Sequence, residues 1–251
     1  MKNPLLDLDA RVVIAHRGNR AWAPENTIAA LHQAVSIGAD ALEFDVRVTR
    51  DGVAVVIHDS DIDRTTDGRG LVESFTFDEL SRFDASARSP FATGSPMAVP
   101  SLEEVLDRFR EIPLVIEVKE VGAIDATARL VRQFGAQDRI VLGSAVTPVA
   151  ERLYELGFNT CASIRDAMRL IPIGLAGLRP ARPKYQVLSV TPRFRGFRIP
   201  IARMAAAARK VGIPTQVWTV NDRVLARSLW HAGVTGIVTD DPAAMLRARE
   251  G

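Results

Sequence analysis

The chain has 251 residues, 47% hydrophobic and 25% charged, the profile of an ordinary globular protein with room for a large core. Its 32 Lys+Arg against 30 Asp+Glu leave a net charge of +2, which gives no reason to expect nucleic acid as a partner. The single cysteine, Cys161, excludes an internal disulfide and lies in an apolar run, where a buried bystander is expected rather than a nucleophile.

Taken in chain order, the N-terminal stretch MKNPLLDLDARVVIAHRG carries Asp7 and Asp9 where a secretion signal needs an unbroken apolar core. Leu170 to Leu178 is the longest apolar run; it is broken by Pro172 and far shorter than a membrane span. A cytoplasmic protein without stable membrane insertion is therefore expected. Short, β-branched apolar runs then alternate with helical patterns: VVIAH (12–16), ALEFDV (41–46), LVIEVK (114–119), RIVLGS (139–144), NTCASI (159–164), QVLSV (186–190), TQVWTV (215–220) and GIVTD (236–240). Such runs, near-continuous in apolar residues, are the mark of parallel strands covered on both faces. Eight of them in this length predict an α/β fold, a (β/α)8 TIM barrel, with a doubly wound open sheet as the alternative.

Between the strands, Asn26 or Thr27 is the expected cap of IAALHQAVSIG, with Ile28, Leu31 and Val35 as its apolar stripe and Gly38 as its stop. Pro100 and a Ser101…Glu104 capping box open SLEEVLDRF. AIDATARLVRQF, PVAERLYELG, IARMAAAARKVG, VLARSLWHAG and PAAMLRARE supply later helices, and RPARPK (179–184) reads as a solvated connection. One segment breaks the alternation. RVTRDGVAVVIHD has a turn signal at Arg50-Asp51-Gly52, so the second strand is expected to overshoot the rim and return, delivering His58 and Asp59. Residues from about 60 to 98, with a short helix at FDELSRF, then form an insertion in the second βα loop of one domain spanning 1–251.

Chemistry in such barrels gathers at the C-terminal ends of strands. Glu43 and Asp45 alternate with apolar neighbours and so share one face, about 7 Å apart along the strand. Glu117 and Lys119 repeat that spacing on the next strand. Three carboxylates from adjacent strands are the oxygen donors that a hard divalent cation, Mg²⁺ or Ca²⁺, prefers. The competing reading makes Glu43 and Asp45 partners of Arg17, Lys119 or Arg47 in buried ion pairs. Arg17 and Lys119 beside a cation point to an anionic substrate, with phosphate the natural candidate. His16 and His58, at the ends of their strands, then suggest a general acid and a general base. His32 and His231 fall on helices and are expected to pack or face solvent. Trp218 reads equally as core or as a wall against the substrate's carbon skeleton, and Trp22 less readily as a second wall.

HRGNRAWAPENT, ALEFDVRVTRDGVAVVIHD, RTTDGRG, PSLEEVL, IEVK, VWTVND and GVTGIVTDDP together resemble the glycerophosphodiester phosphodiesterase family, in family order from His16 to Pro242. The resemblance implies a TIM barrel with a small insertion after the second strand, and metal-dependent hydrolysis of a small glycerophosphodiester to sn-glycerol 3-phosphate and an alcohol. Residue by residue, it implies His16 and His58 as catalytic, Glu43, Asp45 and Glu117 as metal ligands, and Arg17 and Lys119 as phosphate contacts. Glu25 and Asn26 match an element close to the site. The chain departs from the pattern at Ser144-Ala145-Val146, where the family often has Ser-Phe and a polar residue, and at Thr235, where it often has Asp. The first departure bears on the pocket for the alcohol. Two competing activities remain at this stage. One is lysophospholipase D action on lipid phosphodiesters, with Phe75, Phe77, Phe83 and Phe91 as an apolar rim or as the insertion's own core. The other is a Mg²⁺-dependent barrel lyase or isomerase.

Overall fold

The computed structural model describes residues 3–250. Its strands are β1 (Val12–His16), β2 (Ala41–Val48), the returning arm β3 (Ala54–Val56), β4 (Leu114–Val118), β5 (Ile140–Gly143), β6 (Leu188–Val190), a hairpin of β7 (Arg193–Phe194) and β8 (Phe197–Arg198), β9 (Thr215–Val217) and β10 (Gly236–Thr239). The ring runs β5-β4-β2-β1-β10-β9-β6, all parallel. Residues 159–162 complete it: the Cys161 N–H donates to Leu142 O at 2.9 Å and the Ala162 N–H to Val187 O at 2.8 Å. The fold is the expected TIM barrel.

Alternation along each strand sorts side chains into two sets. Leu42, Phe44, Val46, Leu114, Ile116 and Leu142 point outward into a core shared with the helices. Val12, Ile14, Ala41, Val115, Val141, Cys161, Val187 and Val238 fill the barrel interior, with Leu5 beside them. Following the inward parity toward the C-terminal ends, Ile14 is succeeded by His16, Ala41 by Glu43 and Asp45, Val115 by Glu117, and Val238 by Asp240. One face of each strand thus changes from apolar packing at depth to ionisable groups at the mouth.

The helices are α1 (Ile28–Ile37), α2 (Phe77–Leu80), α3 (Leu102–Arg108), α4 (Ile124–Gln133), α5 (Thr147–Glu155), α6 (Ile164–Leu175), α7 (Ile201–Arg209), α8 (Arg223–His231) and α9 (Pro242–Glu250). Thr27, not Asn26, caps α1 through its Oγ1. The buried stripe of α1 is Ala30, Leu31 and Ala34, while Val35 is exposed. Ser101 caps α3 through its side chain, but the expected reciprocal box is not closed, since the Glu104 carboxylate accepts from Arg108 at 2.9 Å. The NTCASI strand is cut short and α6 was not foreseen. Both follow from Ser163 and Asp166, whose reciprocal capping box turns the chain into a helix directly after Ala162. Pro172 is held within the last turn of α6.

The antiparallel ribbon forms with Val46 opposite Val56 and Val48 opposite Ala54. Beyond it, Val55, Ile57, Ile62, Val72, Leu80, Ala85 and Val99 make a separate apolar cluster, with Phe75, Phe77 and Phe83 packed against it. Phe91 lies apart, against Trp22.

The first βα turn depends on Gly18, at φ +83°, where an added Cβ would lie 2.5 Å from the backbone carbon of Ala30. Both the backbone angle and the contact oppose a side chain. Gly18→Ala is expected to destabilise the fold by about 2–4 kcal/mol, read as a lowered urea midpoint with an unchanged slope.

Candidate active site

Strand register brings the acidic residues together. His16 of β1 pairs with Glu43 of β2, and Asp45 of β2 pairs with Glu117 of β4. One carboxylate oxygen from each of Glu43, Asp45 and Glu117 lies within 4.8 Å of the others. Asp45 is buried and bonded from three sides: Arg17 Nε is 3.0 Å and Lys119 Nζ 3.2 Å away, and Asn26 Nδ2 donates at 3.1 Å. Lys119 Nζ also lies 3.1 Å from Glu117. Burial would raise the pKa of Asp45, but Lys119 and Arg17 hold it below the usual carboxylate range.

Glu43 has no such relief. Its nearest polar partners are the backbone N–H of Arg17 at 3.2 Å and His16 Nε2 at 3.9 Å. Burial first, and then the charge of Asp45, push its pKa upward. The ion-pair alternative therefore accounts for Asp45 and not for Glu43. Arg47 turns away, to Glu120 at 2.7 Å and the carbonyl of His58 at 2.9 Å. Asp45 Oδ1 is buried and is met by Lys119 Nζ at 3.2 Å. A compact set of hard oxygens, with the Glu43 carboxylate uncompensated, fits a divalent cation.

The two histidines are mounted alike. His16 Nδ1 lies 2.6 Å from Asp240, and His58 Nδ1 2.6 Å from Asp59. A carboxylate at Nδ1 favours the proton there and leaves Nε2 to exchange protons with a ligand. Burial would lower the pKa of His16, but Asp240 and Glu43 outweigh it and raise it. Asp240 is itself brought down to about 2: burial opposes this, and bonds from His16 and Asn221 prevail.

Glu25 ties these parts together. It accepts from Arg17 at 2.8 Å, from Arg20 at 2.9 Å and from Arg64 at 2.7 Å. Arg20 continues to Asp240 at 3.2 Å, and Arg64 to Asp59. A cavity of about 380 Å³ opens over this floor, lined by His16, His58, Glu117, Lys119 and Trp218 among others. Its far wall is apolar, from α6, α7 and the stretch that contains the β7–β8 hairpin: Ile164, Met168, Ile171, Phe194, Ile199 and Met204. Trp22 is exposed outside it.

The pattern of the glycerophosphoryl diester phosphodiesterase family matches residues 16–244. The chain belongs to that family. A glycerophosphodiester phosphodiesterase from Caldanaerobacter subterraneus is 32% identical over 94% of this chain and 96% of its own length. The crystal structure of a glycerophosphodiester phosphodiesterase from Agrobacterium tumefaciens is similar at a TM-score of 0.81 and 28% identity, covering 96% of this chain and 99% of that one. An Oleispira antarctica phosphodiesterase, solved with the product sn-glycerol-3-phosphate, is similar at a TM-score of 0.78 and 25% identity, covering 96% and 97% of the two chains.

This phosphodiesterase thus draws together His16, Arg17, Glu25, Asn26, Glu43, Asp45, His58, Glu117, Lys119 and Trp218, and leaves Trp22 and the four phenylalanines of the insertion out of the cavity lining. Sequence reading passed over Asp240, Arg20 and Arg64. The signals were the acidic pair closing GIVTDD and the arginines of HRGNR and RTTDG, but only the fold shows what they meet.

The three arginines hold Glu25 well below its ordinary pKa of 4.5, against its burial. A carboxylate depressed on folding stabilises the fold fully above its unfolded pKa, and that contribution declines as pH falls below it. Glu25→Gln is expected to cost about 2–4 kcal/mol at pH 7. The wild type is expected to lose thermal stability on acidification below about pH 5, and the substitution should flatten that loss. An unchanged pH–melting profile would remove Glu25 from that role.

Proposed function

We propose that the enzyme hydrolyses glycerophosphodiesters to sn-glycerol 3-phosphate and an alcohol with a divalent cation, Mg²⁺ or Ca²⁺, held by Glu43, Asp45 and Glu117. The observation that carries this reading is the oxygen triad with Glu43 uncompensated, in one cavity with two histidines each fixed at Nδ1. When bound, the cation supplies charge to the phosphoryl oxygens. Arg17 and Lys119 stand beside the triad as phosphate contacts; a phosphate here competes for them with Asp45. His16 and His58 divide two proton transfers. One Nε2 takes the proton of the attacking hydroxyl, and the other gives a proton to the departing alkoxide. Attack by the neighbouring glycerol hydroxyl or by water needs the same two transfers. No described helix is long and apolar enough to cross a membrane; a cytoplasmic setting is part of the proposal, supported by a lone thiol that is free and buried.

The experiment is release of glycerol 3-phosphate from glycerophosphocholine, glycerophosphoethanolamine and glycerophosphoinositol, each in Mg²⁺, in Ca²⁺ and after chelation. Metal-dependent release from any one supports the reading; no release by folded, metal-loaded protein sinks it. The apolar wall at α6 and α7 favours a second reading, action on diesters that carry one acyl chain. The insertion phenylalanines do not support it: Phe75 and Phe83 pack edge to face 5.3 Å apart in the insertion's own cluster.

A further inference from the structure

Beyond Thr191, Phe194 and Ile199, which line the cavity, the segment TPRFRGFRIP that carries the β7–β8 hairpin has no part in the site described so far. Arg195 and Gly196 turn it, at φ 47° and 86°. Its register places Arg193 opposite Arg198 and Phe194 opposite Phe197. Residues directly opposite in an antiparallel pair share a face, so two arginines lie side by side and two phenylalanines lie side by side. Phe194 lines the cavity, whereas Phe197 is 77% exposed at the tip. None of Arg193, Arg195 and Arg198 meets a carboxylate among the described residues; Arg195 instead stacks over Phe194 at 5.6 Å. Like charges opposed across a ribbon are unfavourable in water and are relieved by anions.

The rim continues the same composition. Ile164 and Met168 at the start of α6, and Trp218 after β9, are exposed and line the cavity with Phe194. An exposed apolar side chain on one face of a ribbon whose other face carries paired arginines does not form a groove for a peptide. It fits a fluid surface that accepts apolar side chains and offers phosphate charge.

We propose that this rim, with the β7–β8 hairpin at its centre, docks the barrel mouth onto an anionic lipid surface. Docking is peripheral: Phe197 enters the interfacial layer, the arginines meet lipid phosphates, and the apolar wall of the cavity opens toward the bilayer. The proposal does not depend on which diester is cleaved.

The test is sedimentation of the full chain with vesicles of phosphatidylcholine and with vesicles of phosphatidylcholine mixed with phosphatidylglycerol. Binding to the mixed vesicles alone, weakening steeply as salt is raised, is expected. Arg193→Gln, Arg195→Gln and Arg198→Gln combined should weaken it about 100-fold, and Phe197→Ala about tenfold. Both variants alter exposed positions, so circular dichroism and turnover of water-soluble glycerophosphocholine should match the wild type. Equal sedimentation with neutral vesicles, no sedimentation with anionic ones, or either variant binding as tightly as the wild type overturns the proposal. Absence of turnover of glycerophosphocholine, glycerophosphoethanolamine and glycerophosphoinositol alike in the wild type would count against the proposed reaction and leave the docking result to stand alone.

Discussion

Glu43→Gln is expected to lower turnover by about 10³-fold or more and to remove the stabilisation expected from the proposed divalent cation, while the metal-free variant melts no lower than the metal-free wild type. The reasoning begins with burial. Glu43 is 7% exposed, and its pKa is raised by desolvation and by Asp45. A carboxylate whose pKa rises on folding destabilises the folded state at pH values above its unfolded pKa, since its charge is easier to hold in the unfolded chain. A neutral amide of the same shape removes that penalty. The same substitution removes one of three carboxylate charges that suit a cation and leaves a neutral carbonyl oxygen in its place, so ligand-linked stabilisation is expected to be lost. Melting curves with and without each metal, alongside turnover, check both halves. A metal-dependent rise in melting temperature that survives the substitution would take Glu43 out of the ligand set.

His16→Ala and His58→Ala are each expected to lower turnover by 10²–10⁴-fold, the range for a positioned acid or base. The two should differ when the leaving group is changed. A diester with a p-nitrophenolate leaving group needs no proton at departure. The variant that lacks the acid therefore recovers most of its rate on that substrate, and the variant that lacks the base does not. Geometry gives both residues the same equipment, a carboxylate at 2.6 Å from Nδ1, so this comparison assigns the roles. A near-wild-type rate in either single variant, on an ordinary alkyl diester, would return that histidine to a structural part.

Much of this site could be read before the fold was known because strand periodicity is a local property. Glu43 with Asp45, and Glu117 with Lys119, declare a shared face by spacing alone, and the barrel places those strands side by side. The ribbon at Arg50-Asp51-Gly52 was legible for the same reason, since turn chemistry is written in adjacent residues. What escaped notice depends on distant encounters. Asp240 meets His16 across 224 positions of sequence, and Arg64 meets Glu25 across 39. Nothing near Asp240 or Arg64 marks them as partners. The helix α6 was obscured by Pro172 and by an apolar composition that reads equally as strand. Its one local signal was the Ser163–Asp166 box. Of the four phenylalanines read either as an apolar rim or as the insertion's own core, Phe75, Phe77 and Phe83 join the cluster beside the ribbon, and the apolar wall is found after the fifth and sixth parallel segments.

The way Arg64 grips Glu25 bears on when the site exists. The barrel ring closes through strands that include neither β3 nor His58, and the ribbon beyond it has its own apolar cluster. Release of the Arg64 clasp is then a sub-global opening, less costly than unfolding the barrel. In the opened form Glu43, Asp45 and Glu117 keep their places while His58 has departed. On the proposed mechanism, cation affinity and catalytic competence then belong to different layers of stability, and mild denaturant should separate them.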